Sequence, residues 1–348
     1  MAATDERGAT GAVVLAAGRG TRMKSAAPKA LHRLLGVPLP VWPIRAALAV
    51  GAEPVVVVGD PAGAVAAAVG ECLTATEAAR VRFAVQETPR GTADAVLAAR
   101  DASDEASHLY ILNGDVPLLR VESLAALAAA YDRSGRTLAL ATCLLADGGA
   151  YGRVLRDAAG AVLAIREARD ASPVEAAVGE VNVGAYLVRR DRLFEGLARL
   201  SPRNAQGELY LTDLVEVLVS DGHRVAGVPL ADPQELQGVN NRAELAGCAA
   251  VLRDRANAAW MAEGVTLDDP ATTWIEPSVR LGRDTVVGPG AVLRGRTTVG
   301  EGCVLGPGAV LVDARLDVGV TVGAHAVLER VALPAGLAVP PLTHLVRD

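Results

Sequence analysis

Lysine occurs only twice in the 348 residues, at Lys24 and Lys29, although the chain carries 34 basic residues. Both fall in LAAGRGTRMKSAAPK, Leu15 to Lys29, where an apolar run opens into a loop with two glycines and the cations Arg19, Arg22 and Lys24 ahead of Pro28–Lys29. Small residues let backbone N–H groups approach phosphate oxygens, and the cations neutralise their charge, so the loop predicts a local phosphate site. It contains neither GxxxxGK[ST] nor GxGxxG. Asparagine and glutamine, six and four residues, are also scarce, yet they collect in short strings: LNGD at 112–115, EVNVG at 180–184, NAQGE at 204–208 and GVNNR at 238–242. Polar turns would explain any one string. Their gathering against an Ala/Arg-rich background points to side-chain chemistry that the bias could not replace.

These residues need a scaffold, and the pattern supplies one. GAVVLAA at 11–17, PVVVVGD at 54–60 and HLYILNGD at 108–115 read as buried parallel strands. Ala/Leu-rich stretches at about 39–50, 61–70, 92–101 and 120–133 read as the helices between and after them. Alternating strand and helix predicts an α/β fold with a doubly wound, Rossmann-like sheet, whose ligands sit beyond the carboxyl ends of the strands, where the Gly18 loop and Gly114–Asp115 fall. Segments at 138–145, 151–157, 161–167 and 180–188 read as strands and hairpins that make the sheet mixed, and 241–263 as a connector helix.

From about residue 275 the period changes. Leu281, Val287, Leu293, Val299, Leu305 and Leu311 recur six apart, four of them followed by glycine; after a one-residue slip near Asp317 the register resumes at Val322–Gly323 and Leu328. Hexapeptide aliphatic-Gly units predict a short left-handed parallel β-helix, and about 65 residues allow between three and four turns. The expected organisation is residues 1–240, a connector at 241–263 and the β-helix at 264–348, with subunit association as the role of the coils.

Composition excludes several classes. Hydrophobic residues make up 51% and charged residues 21%, which describes a globular chain and not a disordered one. A net charge of −6 provides no basic field for a nucleic-acid polymer or an anionic membrane. No apolar run reaches the roughly 18 residues of a membrane span. Asp5 and Glu6 precede an apolar patch too short for a secretion signal, so the expected location is cytoplasmic. Cys72, Cys143, Cys248 and Cys303 form no CxxC pair and predict reduced, mostly buried thiols.

LAAGxGTRM followed by PKALH resembles the pyrophosphorylase domain of bacterial N-acetylglucosamine-1-phosphate uridyltransferases, the GlmU family. Downstream strings resemble it in the same order: GTADA at 91–95, GDVPL at 114–118, YGRV at 151–154, Glu167 to Ala171, EVNVG, NAQGELYLTD at 204–213 and GVNNR. The resemblance spans about residues 11–263 and continues into the hexapeptides. It implies an enzyme in which a sugar phosphate attacks the α-phosphorus of UTP and pyrophosphate leaves, so that the protein supplies positioning and charge. The matching positions make Arg22 and Lys29 the catalytic cations, and Asp115 and Asn240 the holders of Mg²⁺. Leu15, Ala16, Ala17, Gly18, Gln86, Gly91, Thr92, Asn113, Gly114 and Asp115 become the nucleotide site, where the Gln86 amide has the donor and acceptor that a uracil imide edge requires. Gly152, Glu167 and Asn182 become the sugar site, with Tyr210 and Thr212 as walls. UTP and a sugar-1-phosphate are the implied partners, with a homotrimer through the β-helix.

Three positions depart from the family pattern: Asn113 stands where an aromatic residue is usual, Ala93–Asp94 where Gly-His is usual, and Val183 where Thr is usual. They leave open a different sugar-1-phosphate or dTTP as substrate. A non-catalytic nucleotide-sugar sensor or assembly subunit is the second alternative. The family's acetyltransferase motifs have no counterpart in the residues up to Asp348, and His325 reads as a coil surface residue, so acetyl transfer is expected to be missing.

Overall fold

The computed structural model describes residues 8–347 other than 19, 133 and 134. Arg19 therefore lies outside the described residues. The chain divides into two compact units, one running to His32 and resuming over Pro38–Glu244, the other formed by Arg33–Val37 and Leu245 onward.

The first unit is built on a nine-stranded mixed sheet. Its strands are β1 (Thr10–Leu15), β2 (Val55–Gly59), β3 (Val81–Val85), β4 (His108–Asn113), β5 (Leu138–Leu144), β6 (Arg153–Arg156), β7 (Val162–Arg166), β8 (Glu180–Arg189) and β9 (Val225–Pro229). The spatial order is β9-β5-β8-β4-β1-β2-β3, with β6 pairing β8 and β7 off this path. β1 runs parallel to β2 and β4, whereas β8 is antiparallel to β4 and β5. The valines of β2 and the Ala12–Val14 run of β1 are buried on both faces, as strands covered by helices on either side must be. On one face, helices Thr92–Ala98, Arg190–Leu197 and Asp213–Ser220 bury Val96, Leu193, Phe194, Leu214 and Leu218 against Val13, Val56, Ile111, Leu140 and Val188. Helices Val41–Ala49 and Val121–Asp132 pack together, and the Tyr110 hydroxyl donates to the Leu124 carbonyl at 3.1 Å.

The chain leaves β1 towards β2 and β3 on one side and returns as β4 on the other, so β1 and β4 frame a topological switch point. A crevice opens there beyond the strand ends.

The second unit contains most of the helix Arg242–Ala262, followed by a left-handed parallel β-helix. Its strands, from Thr266–Leu267 to His344–Val346, stack into three parallel sheets of five, five and four strands. This exceeds the three to four turns that the six-residue period from about residue 275 allows, because the coils begin at Thr266, ahead of the periodic stretch. Leu267 and Ile275 stand eight residues apart without the six-residue spacing, so their period is invisible although both are buried.

Aliphatic side chains from all three faces fill the interior, among them Val287, Leu293, Leu305, Leu311, Val322 and Leu328. The recurring glycines follow from close packing of successive corners: a Cβ on Gly288 or Gly306 would stand 2.7 Å from the backbone nitrogen of Pro307 or Ala324 one coil on. The register slip lies earlier than expected, at Asp313 and not near Asp317, and a second one follows at Arg330. Val292 pairs with Val310, but Val310 pairs with Val327 and Val327 with His344, so each of these later coils is one residue shorter. Asp313 and Arg330 turn these tighter corners with φ of 51° and 53°. No disulfide joins the four cysteines, of which Cys143, Cys248 and Cys303 are buried and Cys72 partly so.

Candidate active site

β1 and β4 end in register, Leu15 beside Asn113, and Gly114 follows so closely that its N–H donates to the Leu15 carbonyl at 2.9 Å. A Cβ on Gly114 would lie 2.6 Å from that oxygen, so only glycine lets the chain turn here and present Asp115 to the crevice. The Asp115 carbonyl accepts from Val239 N–H at 2.8 Å, which brings the distant GVNNR string alongside. Asn240 is held in turn by Glu244, whose carboxylate accepts its N–H at 2.6 Å.

Opposite stands the Gly-rich loop, with Lys29 opening a single 3₁₀ turn after Pro28. The Lys29 ammonium forms an ion pair with Asp115 and donates to Asn240 Oδ1 at 3.3 Å, while the Arg22 guanidinium donates to the same oxygen at 2.9 Å. Residues 86 and 211 positions distant from Lys29 therefore meet at its side chain. Lys24, the other lysine, is exposed.

A cavity of about 720 Å³ lies at this switch point. Leu15, Ala16, Ala17, Gly18, Gln86, Gly91, Thr92, Asn113, Gly114 and Asp115 all line it, together with Lys29. Thr88, Pro89 and Glu208 line it as well and were not singled out in the sequence; Glu208 stood within the NAQGE string, which was the available signal. The Gly91 turn is locked to the 204–212 segment. Ala93 N–H donates to the Leu209 carbonyl at 3.0 Å, Leu209 N–H to the Arg90 carbonyl at 2.8 Å and Leu211 N–H to Thr92 Oγ1 at 2.9 Å. Asn113 packs against Gly184, where any side chain would collide with its amide.

A second, smaller cavity of about 270 Å³ is lined by Glu167, Asp170, Asn204, Tyr210, Asp213 and several arginines. Burial raises the Glu167 carboxyl above its ordinary range, opposed by the Thr212 hydroxyl that donates to it at 2.9 Å. Asp213 is pushed up to about 6, chiefly by burial and against the pull of Arg166. Tyr210 contributes a buried wall whose hydroxyl accepts from Gln206 Nε2 at 2.7 Å. Gly152 and Asn182 sit beside this cavity without lining it. A Cβ on Gly152 would lie 2.9 Å from Ile165 Cγ2 and 3.5 Å from Glu167, and the Gly152 carbonyl accepts from Asn182 N–H at 2.8 Å. The Asn182 amide is already engaged, donating to the Tyr186 hydroxyl at 2.7 Å and accepting from Gly184 N–H at 3.1 Å. Asp213 was not among the residues picked from the sequence, although it closes the NAQGELYLTD string.

A loop of cations facing a strand-end carboxylate at a switch-point cavity is an arrangement for nucleotidyl transfer, and comparison with known proteins agrees. Residues 12–217 match the MobA-like NTP transferase domain, and residues 278–313 the bacterial transferase hexapeptide repeat. The chain is 46% identical to the bifunctional protein GlmU of Anaeromyxobacter sp. strain Fw109-5 over 96% of its own length and 68% of that protein's. It is 44% identical to the bifunctional protein GlmU of Sorangium cellulosum strain So ce56, covering 96% and 70%, and 42% to that of Trichlorobacter lovleyi, covering 96% and 72%. The chain belongs to the GlmU family. As a GlmU-family protein it is a nucleotidyltransferase of the UDP-N-acetylglucosamine diphosphorylase class.

GlmU-type nucleotidyltransferases work with a divalent metal, and the donor set suits one. Two oxygen donors, the Asp115 carboxylate and Asn240 Oδ1, converge on one point, and the Lys29 ammonium is the cation found there. Among the described residues no three His, Cys, Asp or Glu side chains cluster to form a closed metal cage. A hard cation held by few protein oxygens, with phosphate and water completing its shell, fits such a site. No helix among the described residues is long and apolar enough to cross a membrane.

Proposed function

We propose that this protein transfers the uridylyl group of UTP to N-acetylglucosamine-1-phosphate in the cytoplasm, giving UDP-N-acetylglucosamine and pyrophosphate, with Mg²⁺ held by Asp115 and Asn240. The observation that carries this reading is the convergence of Arg22, Lys29, Asp115 and Asn240 on one side of the cavity that also holds Gln86 and Gly91. The attacking phosphate oxygen forms a bond to the α-phosphorus of UTP while the bond to the bridging oxygen breaks and pyrophosphate departs. Arg22 and Lys29 neutralise charge that grows on the phosphates, and the Gly18 loop admits them to the backbone. Bound at the two oxygens, Mg²⁺ would supply further charge neutralisation and orient the phosphates. Glu167, Thr212 and Tyr210 hold the sugar, with Gly152 and Asn182 backing Glu167 from beside the cavity, and Gln86 with the Gly91–Thr92 turn holds the base.

We assign no acetyl transfer to the coils of this sequence. His325 occupies a left-handed coil corner with φ of 56° and packs over Gly308 of the preceding coil, the place of a structural residue. The hexapeptide coils support association as a homotrimer. Asn113 in the nucleotide cavity and the buried Val183 favour one further reading, the same transfer with dTTP or with another sugar-1-phosphate. A sensor has no need of a converged set of cations and metal donors, which speaks against that alternative.

Pyrophosphate release from UTP and N-acetylglucosamine-1-phosphate, with dTTP and glucose-1-phosphate run in parallel, tests the reading. Release confined to the first pair supports it, release with another pair moves the substrate, and silence with every pair overturns it. Chelation is expected to abolish release and added Mg²⁺ to restore it. Acetyl-CoA with glucosamine-1-phosphate is expected to yield no free CoA.

A further inference from the structure

Behind Gln86, which lines the nucleotide cavity, stands an ion pair that phosphate binding does not require. Asp94, buried in the first turn of the helix Thr92–Ala98, accepts on Oδ1 from Arg90 Nε at 3.1 Å and Nη2 at 2.6 Å. Its Oδ2 accepts from Gln86 Nε2 at 2.8 Å, and the same Nε2 donates to the Gly91 carbonyl at 3.1 Å. Both hydrogens of the Gln86 amide are thus committed to acceptors that cannot donate, a carboxylate held by a guanidinium and a peptide carbonyl. Rotating the amide by half a turn would set Oε1 against Asp94 Oδ2 and the Gly91 oxygen, replacing two hydrogen bonds by two lone-pair contacts in a buried place. Oε1 therefore faces the cavity that Gln86 lines, and no described residue donates to it.

We propose that Asp94 is a positioning residue: gripped by Arg90, it fixes the Gln86 amide with its oxygen towards the nucleotide cavity, so that the site takes bases carrying a hydrogen on N3 and rejects cytosine, whose N3 is an acceptor. The inference rests on the reading of this cavity as a pyrimidine-nucleotide site. A freely turning glutamine would serve either base; a fixed one faces cytosine with acceptor against acceptor, a buried mismatch of the kind that sites penalise heavily. Uracil and thymine present the same N3–H, so this device does not tell UTP from dTTP. It divides the pyrimidines by one hydrogen bond and leaves the 5-methyl group to other contacts.

The test compares UTP, dTTP and CTP in the full-length wild type, Asp94→Asn and Asp94→Ser. The wild type is expected to prefer UTP over CTP by at least about 100-fold in kcat/KM, as a buried hydrogen-bond mismatch implies. Asparagine can donate or accept, so Asp94→Asn frees the Gln86 amide to invert. The UTP-to-CTP ratio is expected to fall about tenfold, mostly through KM, with the UTP-to-dTTP ratio unchanged. Asp94→Ser, which leaves no buried charge partner to mispair, is expected to show the same narrowing. A purely structural role would lower all three nucleotides together and leave the ratios alone, and that result would overturn the proposal.

A measurement on the wild type decides the matter if both variants unfold. With six asparagines and four glutamines in the chain, the Gln86 side-chain NH₂ is a tractable NMR signal. Slow exchange of both its hydrogens is expected, and exchange at the rate of an exposed amide would sink the clamp. If the wild type turns over none of the three nucleotides, the transferase reading fails while the exchange result still judges the clamp. Equal turnover of UTP and CTP removes the clamp's role and leaves the transferase reading standing.

Discussion

At the scale of single residues, the candidate site is a problem of charge held in a small space. Lys29 neutralises Asp115 in the arrangement described, so removing either partner leaves the other without its counter-charge. Asp115→Ala is expected to lower kcat by about 10²–10³ while the fold is retained, since a single electrostatic donor at a transferring group is worth that much. Steady-state pyrophosphate release alongside a thermal melt checks both halves. Asp213 yields a pH prediction of definite sign. Its carboxyl ionises at about 6 in the folded protein, above its ordinary 3.8, so between these values the folded state holds a proton that the unfolded chain has lost. Stability attached to this group is present at low pH and falls as pH rises through about 6. Asp213→Asn is expected to stabilise the protein by about 1–2 kcal/mol at pH 8, discounted for partial exposure, and to bring no gain near pH 3. Urea unfolding at the two pH values measures the difference.

At the scale of elements, the two units are written in different periods. Runs such as VVVVG, buried on both faces, read as parallel strands because no polar residue alternates within them, and the six-residue spacing of the coils reads directly because each aliphatic points inward. What the periodicity conceals is where a unit loses a residue. The corner at Gly295–Thr297 shortens to Asp313–Ala314 one coil later, and the cue is one left-handed Asp whose carboxylate accepts from Arg296 N–H at 2.8 Å. Two substitutions probe this unit. Leu311→Ala, at a fully buried position, is expected to cost about 2–5 kcal/mol. Gly306→Ala, where a Cβ would meet the Ala324 nitrogen, is expected to cost about 1–3 kcal/mol through overpacking. Gly302→Ala, with open space around it, would bring only the strain of its φ of 62°, so a Gly306→Ala melting point no lower than that of Gly302→Ala would refute the close-approach account.

At the scale of the whole molecule, the expected assembly is a trimer of 35.6 kDa chains, and sedimentation velocity would report a species of about that multiple if the coils associate as solenoid faces do. The local sequence by itself determined the alternation of strand and helix, the hexapeptide coils, the glycine-and-cation composition of the Gly18 loop and the scarcity of lysine and amide side chains outside short strings. These are properties of a few neighbouring residues, and hydrophobic period and turn chemistry report them without knowledge of the rest of the chain. The family resemblance named further positions, yet not how they are held. Only the tertiary structure decided that Lys29, Asp115 and Asn240 share one point, because that depends on β4 lying beside β1 and on Val239 pairing with Asp115 across more than a hundred residues. It alone engaged Asn182 with Tyr186 and turned Asp94 from a departure from the family pattern into the partner of Gln86. The direction of a buried amide is set by every acceptor around it, and those acceptors come together only when the chain has folded.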